Sequence, residues 1–155
     1  MDLPPDFSDL LEAFARAAVR FVVVGGYAVA FHGRPRATKD IDVLLAGDGE
    51  NLARAATALR EFGAPDNVCS SVETMASDDV VYLGAPPLRI DMLRRIDGVE
   101  AEEVLARAVD VEIGDLRFKV IALDDLITNK RAAGRAQDLV DVTALERIRS
   151  RRAPR

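Results

Sequence analysis

Residues 21–45 read FVVVGGYAVAFHGRPRATKDIDVLL. Phe21-Val22-Val23-Val24 is a short apolar run of the kind that forms a buried strand. Gly25-Gly26 ends it sharply, and Tyr27 to Phe31 has the composition of a short helix that stops at Gly33. Arg34-Pro35-Arg36-Ala37-Thr38-Lys39 follows as a polar loop. The chain then alternates with period two, so that Asp40, Asp42 and Leu44 share one face of a strand and Ile41, Val43 and Leu45 share the other. Two carboxylates on one strand face, about 7 Å apart at their backbones, are costly beside buried neighbours unless something compensates them.

Working outward, Pro4 and Pro5 precede a helical pattern from about Phe7 to Val19, with Leu10, Leu11, Phe14 and Ala18 on one face. On the other side, Asn51 to Phe62 has helical spacing through Leu52, Ala55, Ala56 and Leu59, and Gly63 closes it. The stretch from there to about Ser77 has no clear period. Val80 to Leu83 and Leu88 to Leu93 read as strands of a hairpin joined by Gly84-Ala85-Pro86-Pro87. Glu102 to Ala108 is helical. Val109 to Ile113 and Arg117 to Ile121 flank the turn signal Gly114-Asp115. Two helices, Leu123 to Ala133 and Gln137 to Ile148, close the chain. The expected fold is α+β, a mixed sheet with helices packed on it and a short C-terminal helical cap. One domain is expected over residues 1–155, with a core at about 20–121, helices at about 122–148 and a basic tail at 147–155.

Composition removes several chemistries. Of 155 residues, 49% are apolar and 30% charged, which is ordinary for a soluble globular domain. Cys69 is the only cysteine and His32 the only histidine, so thiol-rich and multi-histidine zinc sites are excluded. Catalysis is left to carboxylates, hydroxyls and hard metals. The net charge of −5 argues against a general nucleic-acid coating protein. The segment from Arg147 to Arg155 nevertheless holds five arginines and no acid. It reads either as a frayed, solvated end or as a contact for RNA or another anionic partner. MDLPPDF is acidic where a signal peptide would be basic, and the apolar run Phe21–Phe31 is too short to span a bilayer. A cytoplasmic protein with no membrane partner is expected.

A second strand repeats the oddity of the first: Arg89-Ile90-Asp91-Met92 places another aspartate among apolar residues. If it lies beside the Asp40–Asp42 strand, three carboxylates converge, and they cannot all ionise cheaply. A divalent cation resolves that, and an all-oxygen site favours magnesium or manganese. Gly25-Gly26 at a helix start lets backbone N–H groups approach a phosphate. Metal-binding acids facing a phosphate cradle point to phosphoryl or nucleotidyl transfer.

These residues resemble the nucleotidyltransferase superfamily with the DNA polymerase β-like fold. Val24-Gly25-Gly26, thirteen intervening residues and Asp40-Ile41-Asp42 match its signature, with Asp91 as the third acid. The wording GGYA…G…R.T.DID looks closest to the AbiEii-like nucleotidyltransferases, several of which are toxins of toxin–antitoxin pairs. The ending ALDDLITNKRAAGRAQDLVDVTAL is similar to that group too, and the resemblance covers about residues 20 to 146. It implies that Asp40, Asp42 and Asp91 are the catalytic and metal-binding residues, with Asp91 also helping to deprotonate the acceptor. Gly25 and Gly26 are implied to hold the triphosphate through the backbone. Arg36, Thr38 and Lys39 are candidate phosphate contacts, and Lys130 is a candidate for phosphate or acceptor. Arg36 is equally suited to pair with Asp40 or Asp42 in the empty protein. Asp138 and Asp141, one helical turn apart, suit a structural pairing with Arg135 or a neighbour.

The resulting expectation is a magnesium- or manganese-dependent transfer of a nucleoside monophosphate from an NTP, ATP included, to a hydroxyl. The acceptor is expected to be RNA or protein, with the chain acting as the toxin of a pair that has an antitoxin partner. One alternative is an antibiotic nucleotidyltransferase. With only about 30 residues after Ile121, that reading calls for a homodimer to enclose a substrate. The other is a catalytically inactive nucleotide-binding or regulatory module.

Overall fold

The computed structural model describes residues 2–153. They form α1 (Pro5–Arg16), β1 (Phe21–Val24), α2 (Gly25–Phe31), β2 (Asp40–Leu45), α3 (Gly49–Phe62), α4 (Asp66–Glu73), β3 (Val80–Ala85), β4 (Leu88–Leu93), α5 (Ala101–Arg107), β5 (Val109–Ile113), β6 (Leu116–Val120), α6 (Leu123–Ala133) and α7 (Ala136–Arg152). The six strands make one mixed sheet in the order β3-β4-β2-β1-β6-β5. β1 runs antiparallel to β2 and parallel to β6, while β2 and β4 are parallel. The α+β architecture expected from the sequence is the one found.

The apolar pattern decides which strands lie at the centre. All four residues of β1 are buried, as suits a strand flanked on both edges and covered on both faces. In β2 and β4 the pairs Ile41↔Ile90 and Val43↔Met92 share a face, and all four side chains are buried in the core. α1 adds Phe7, Leu10, Leu11 and Phe14 to that core. Phe7 meets Tyr27 edge-on, with ring centroids 5.6 Å apart, so Tyr27 packs the start of α2 as a core residue.

Asn51 fixes the far end of the sheet. Its side chain, fully buried, accepts a hydrogen bond from the Arg20 N–H (2.7 Å) and donates to the carbonyls of Arg20 (3.0 Å) and Ala46 (2.8 Å). The N-terminus of α3 is thereby tied to the chain entering β1 and leaving β2. Asp48 caps the same helix by accepting from the Asn51 N–H at 3.1 Å.

Two segments differ from the sequence reading. The aperiodic stretch contains α4, whose buried side chains are only Cys69 and Val72. Two apolar anchors on an eight-residue helix leave little period to read. At the other end, α7 runs on to Arg152 where a helix ending at Ile148 and a frayed tail were expected. Arg149 pairs with Asp124 at 3.2 Å, and Arg152 donates to the His32 carbonyl at 2.9 Å. Tertiary contacts therefore hold this last stretch of helix, while Arg155 lies outside the described residues. Among the described residues no helix is long and apolar enough to cross a membrane.

Candidate active site

The strand register brings the two aspartate strands together. Asp42 on β2 is the partner of Asp91 on β4, and Asp40 is the partner of Arg89. With period-two alternation, Asp40, Asp42, Arg89 and Asp91 all project from the face opposite Ile41 and Ile90. β1 contributes Val24, the partner of Asp42, immediately before Gly25. Asp42 thus sits against the glycine pair because both lie at one end of neighbouring strands.

Gly25 and Gly26 are required there for different reasons. Gly25 has φ +69°, and a Cβ on it would run into the Asp42 carboxylate. At Gly26 a Cβ would lie 2.8 Å from Thr38 Oγ1 and 3.0 Å from Arg36 Nη2. The loop before β2 therefore closes directly over the start of α2, with no space for a side chain between them.

These elements wall a cleft of about 1120 Å³. The nine candidates, Gly25, Gly26, Arg36, Thr38, Lys39, Asp40, Asp42, Asp91 and Lys130, all line it. Burial first, then the neighbouring carboxylates of Asp91 and Asp40, push the Asp42 pKa up to about 7, while Lys130 and Arg135 pull the other way. Negative charge is thus under-compensated at Asp42. The oxygen donors on this face suit a hard divalent cation.

The three acids share this face with Arg89. Among the described residues no group of three His, Cys, Asp or Glu side chains is gathered to hold a metal ion. Arg89 pairs with two of these acids. Its Nε and Nη2 donate to the two Asp91 carboxylate oxygens at 2.8 and 3.1 Å, and Nη2 lies 3.4 Å from Asp40. The sequence reading left Arg89 out. The signal was present, since a residue two before Asp91 on a strand shares its face.

Arg36 also has a different partner from the one expected. It pairs with Asp141 at 3.3 Å, not with Asp40 or Asp42. Asp141 is fully buried and lies 3.3 Å from Arg34 and 3.4 Å from Lys130. Gln137 donates to it at 3.1 Å. Lys130, itself buried, bonds Asp138 at 3.1 Å. Burial pushes the Asp138 carboxyl up, but the hydrogen bonds from Arg135 and Lys130 outweigh it and leave the pKa below the ordinary value. Asp138 thus takes the expected pairing with Arg135, Asp141 pairs instead with the distant Arg34 and Arg36, and the Lys130 ammonium that lines the cleft is held by both acids. Thr38 donates to the Asp40 carbonyl at 3.3 Å, and Lys39 is exposed.

Residues 5–153 match the family described as nucleotidyl transferase of unknown function (DUF2204). The chain belongs to that family. An enzyme of the nucleotidyl transferase class is therefore what DUF2204 membership gives. Solved structures share the fold of this DUF2204 chain at low identity. The lincosamide antibiotic adenylyltransferase LnuA, bound to lincomycin, superposes with a TM-score of 0.62 at 15% identity, over 94% of this chain and 98% of that one. A candidate nucleotidyltransferase from Thermotoga maritima gives 0.58 at 14%, over 94% and 91%. The antibiotic-resistance factor ANT(2'')-Ia in solution gives 0.57 at 15%, over 94% and 88%. No curated protein sequence matches the chain.

Proposed function

We propose that this cleft transfers a nucleoside monophosphate from an NTP to an acceptor hydroxyl with the help of magnesium or manganese. The observation that carries the reading is the register: Asp42 lies between Asp91 on β4 and the Gly25 turn that follows β1. Asp40, Asp42 and Asp91 would hold the divalent cations. Bound there, they supply Lewis-acid charge to the triphosphate. Gly25 and Gly26 admit phosphate oxygens to the backbone, with Arg36 and Thr38 packed beside them, and Lys39 adds charge at the rim. Asp91 takes the acceptor proton as the acceptor oxygen bonds to the α-phosphorus and the bond to pyrophosphate breaks. Lys130 acts indirectly, by holding α7 against the cleft.

For the acceptor, the AbiEii-like wording supports RNA or protein and a toxin partnered by an antitoxin. The basic tail supports RNA less than its composition suggests, because Arg149 and Arg152 are engaged within the molecule. A specific observation favours a second reading, a small hydroxylated molecule. The lincosamide enzyme is matched over 98% of its length, so this fold without a further domain is compatible with a drug-sized acceptor. The test is incubation with each α-labelled NTP, magnesium or manganese, and a panel of transfer RNA, protein, lincosamide and aminoglycoside. One acceptor class should take label from the wild type and none from Asp42→Ala. Label transfer that survives in Asp42→Ala would sink the assigned site. Nucleotide binding without any transfer would instead favour the regulatory module.

A further inference from the structure

Among the described residues, Arg89 alone forms ion pairs with the candidate acids. The other arginines of the cleft are committed elsewhere, Arg36 to Asp141 at 3.3 Å, Arg95 to Asp78 at 2.7 Å and Arg135 to Asp138 at 2.7 Å. Arg89 is held from three sides. Its fork meets both oxygens of Asp91, one nitrogen reaches Asp40, and its guanidinium carbon lies 4.3 Å from the centre of the Tyr82 ring. Register explains the arrangement, because Tyr82 on β3 is the strand partner of Asp91. Tyr82 is half exposed, so its ring is available as a surface on which a guanidinium can rest.

We propose that Arg89 is a built-in counter-cation, holding Asp40 and Asp91 in the metal-free protein and giving them up when a divalent cation and a nucleotide arrive together. The inference rests on the metal-dependent reading above. A bidentate guanidinium–carboxylate pair is among the stronger charged contacts in proteins. A cation arriving alone must break it and leave Arg89 without an anion. A triphosphate supplies the alternative partner, since phosphate oxygens accept the same fork. Metal and nucleotide therefore bind with positive coupling, each improving the affinity of the other by the same factor. The device also keeps the paired acids neutralised and the sheet face stable while the cleft is empty. In this role Arg89 is a positioning residue for the ligands of the metal.

The test is Mn2+ binding, read by the spectroscopic signal of free Mn2+, with and without a non-hydrolysable NTP analogue. Wild type is compared with Arg89→Ala, Arg89→Lys, Arg95→Ala and Asp42→Asn, and thermal unfolding checks that each is folded. Without nucleotide, Arg89→Ala should bind Mn2+ about tenfold more tightly than wild type, within the usual range of coupling energies. Arg95→Ala should stay within about twofold, as a rim charge should. Arg89→Lys keeps the charge without the fork, so it should tighten binding by less; it stands in if Arg89→Ala does not fold. The gain in Mn2+ affinity on adding nucleotide should shrink in both Arg89 variants. Unchanged or weaker binding in the Arg89 variants, with wild-type binding abolished by Asp42→Asn, overturns the role of Arg89 and leaves the metal site standing. Equal tightening in Arg95→Ala reduces the effect to general charge and also overturns it. No Mn2+ binding by wild type under either condition overturns both readings.

Discussion

Asp42 carries the largest electrostatic cost in the cleft. Its folded-state pKa of about 7 lies above the unfolded value of about 3.9. Between those values the folded chain binds more protons than the unfolded one, so stability falls as pH rises. Below pH 4 the penalty is absent, and above pH 7 it is fully present. Asp42→Asn, measured in EDTA, should therefore be more stable than wild type at pH 8 and equal to it near pH 4. The gap between the two pKa values sets an upper bound of about 4 kcal/mol, since each tenfold change in proton affinity is worth about 1.4 kcal/mol. Urea unfolding across that range checks it, and a difference that stayed flat with pH would contradict the assigned cause. Such a carboxylate costs stability until a cation meets it, which is the expected signature of a functional residue. Arg89, by contrast, compensates Asp91 and Asp40 but not Asp42, and that asymmetry leaves Asp42 the under-compensated acid of the site.

The elements that shape the cleft are joined by contacts between residues far apart in sequence. Asp141 on α7 reaches Arg34 and Arg36 in the loop between α2 and β2, and Lys130 on α6. Asp141→Ala leaves those cations facing an empty buried position, which should cost about 3 kcal/mol, the low end for a broken buried pair because the arginines are partly solvated. Amide exchange across residues 34–39 should accelerate, and KM for the nucleotide should rise more than kcat falls. Normal loop protection in a destabilised Asp141→Ala would show that the loop does not depend on this staple. This contact also marks where the sequence ceased to be legible. β1, the glycine pair and the alternating acids of β2 could be read because strand period and turn chemistry are local. The pairing of Arg36 with Asp141 spans more than a hundred positions and has no local signal. Helix α4 was missed for the opposite reason, having too few buried positions to set a period. Arg89 was legible by its spacing from Asp91, but its meaning depends on β2 and β4 lying in parallel register.

At the scale of the whole molecule, one histidine and one cysteine are no deficit, since His32 and Cys69 are both buried away from the cleft. His32 bonds the Ile121 carbonyl at 2.7 Å, and burial lowers its pKa. The chemistry is left to carboxylates gathered on one sheet face, and the net charge of −5 means that an anionic substrate is met by local cations, not by the overall field. In the proposed reading the sheet supplies the acids and the start of α2 the phosphate cradle, while α6 and α7 wall the cleft and hold the loop in place. The central claim is that the acids and the glycine turn together form one metal–nucleotide site. Anomalous diffraction from crystals grown with Mn2+ and a non-hydrolysable NTP analogue tests it most directly. The account predicts Mn2+ density between Asp42 and Asp91 with the triphosphate against Gly25 and Gly26; ordered nucleotide and Mn2+ bound elsewhere on the molecule would contradict it.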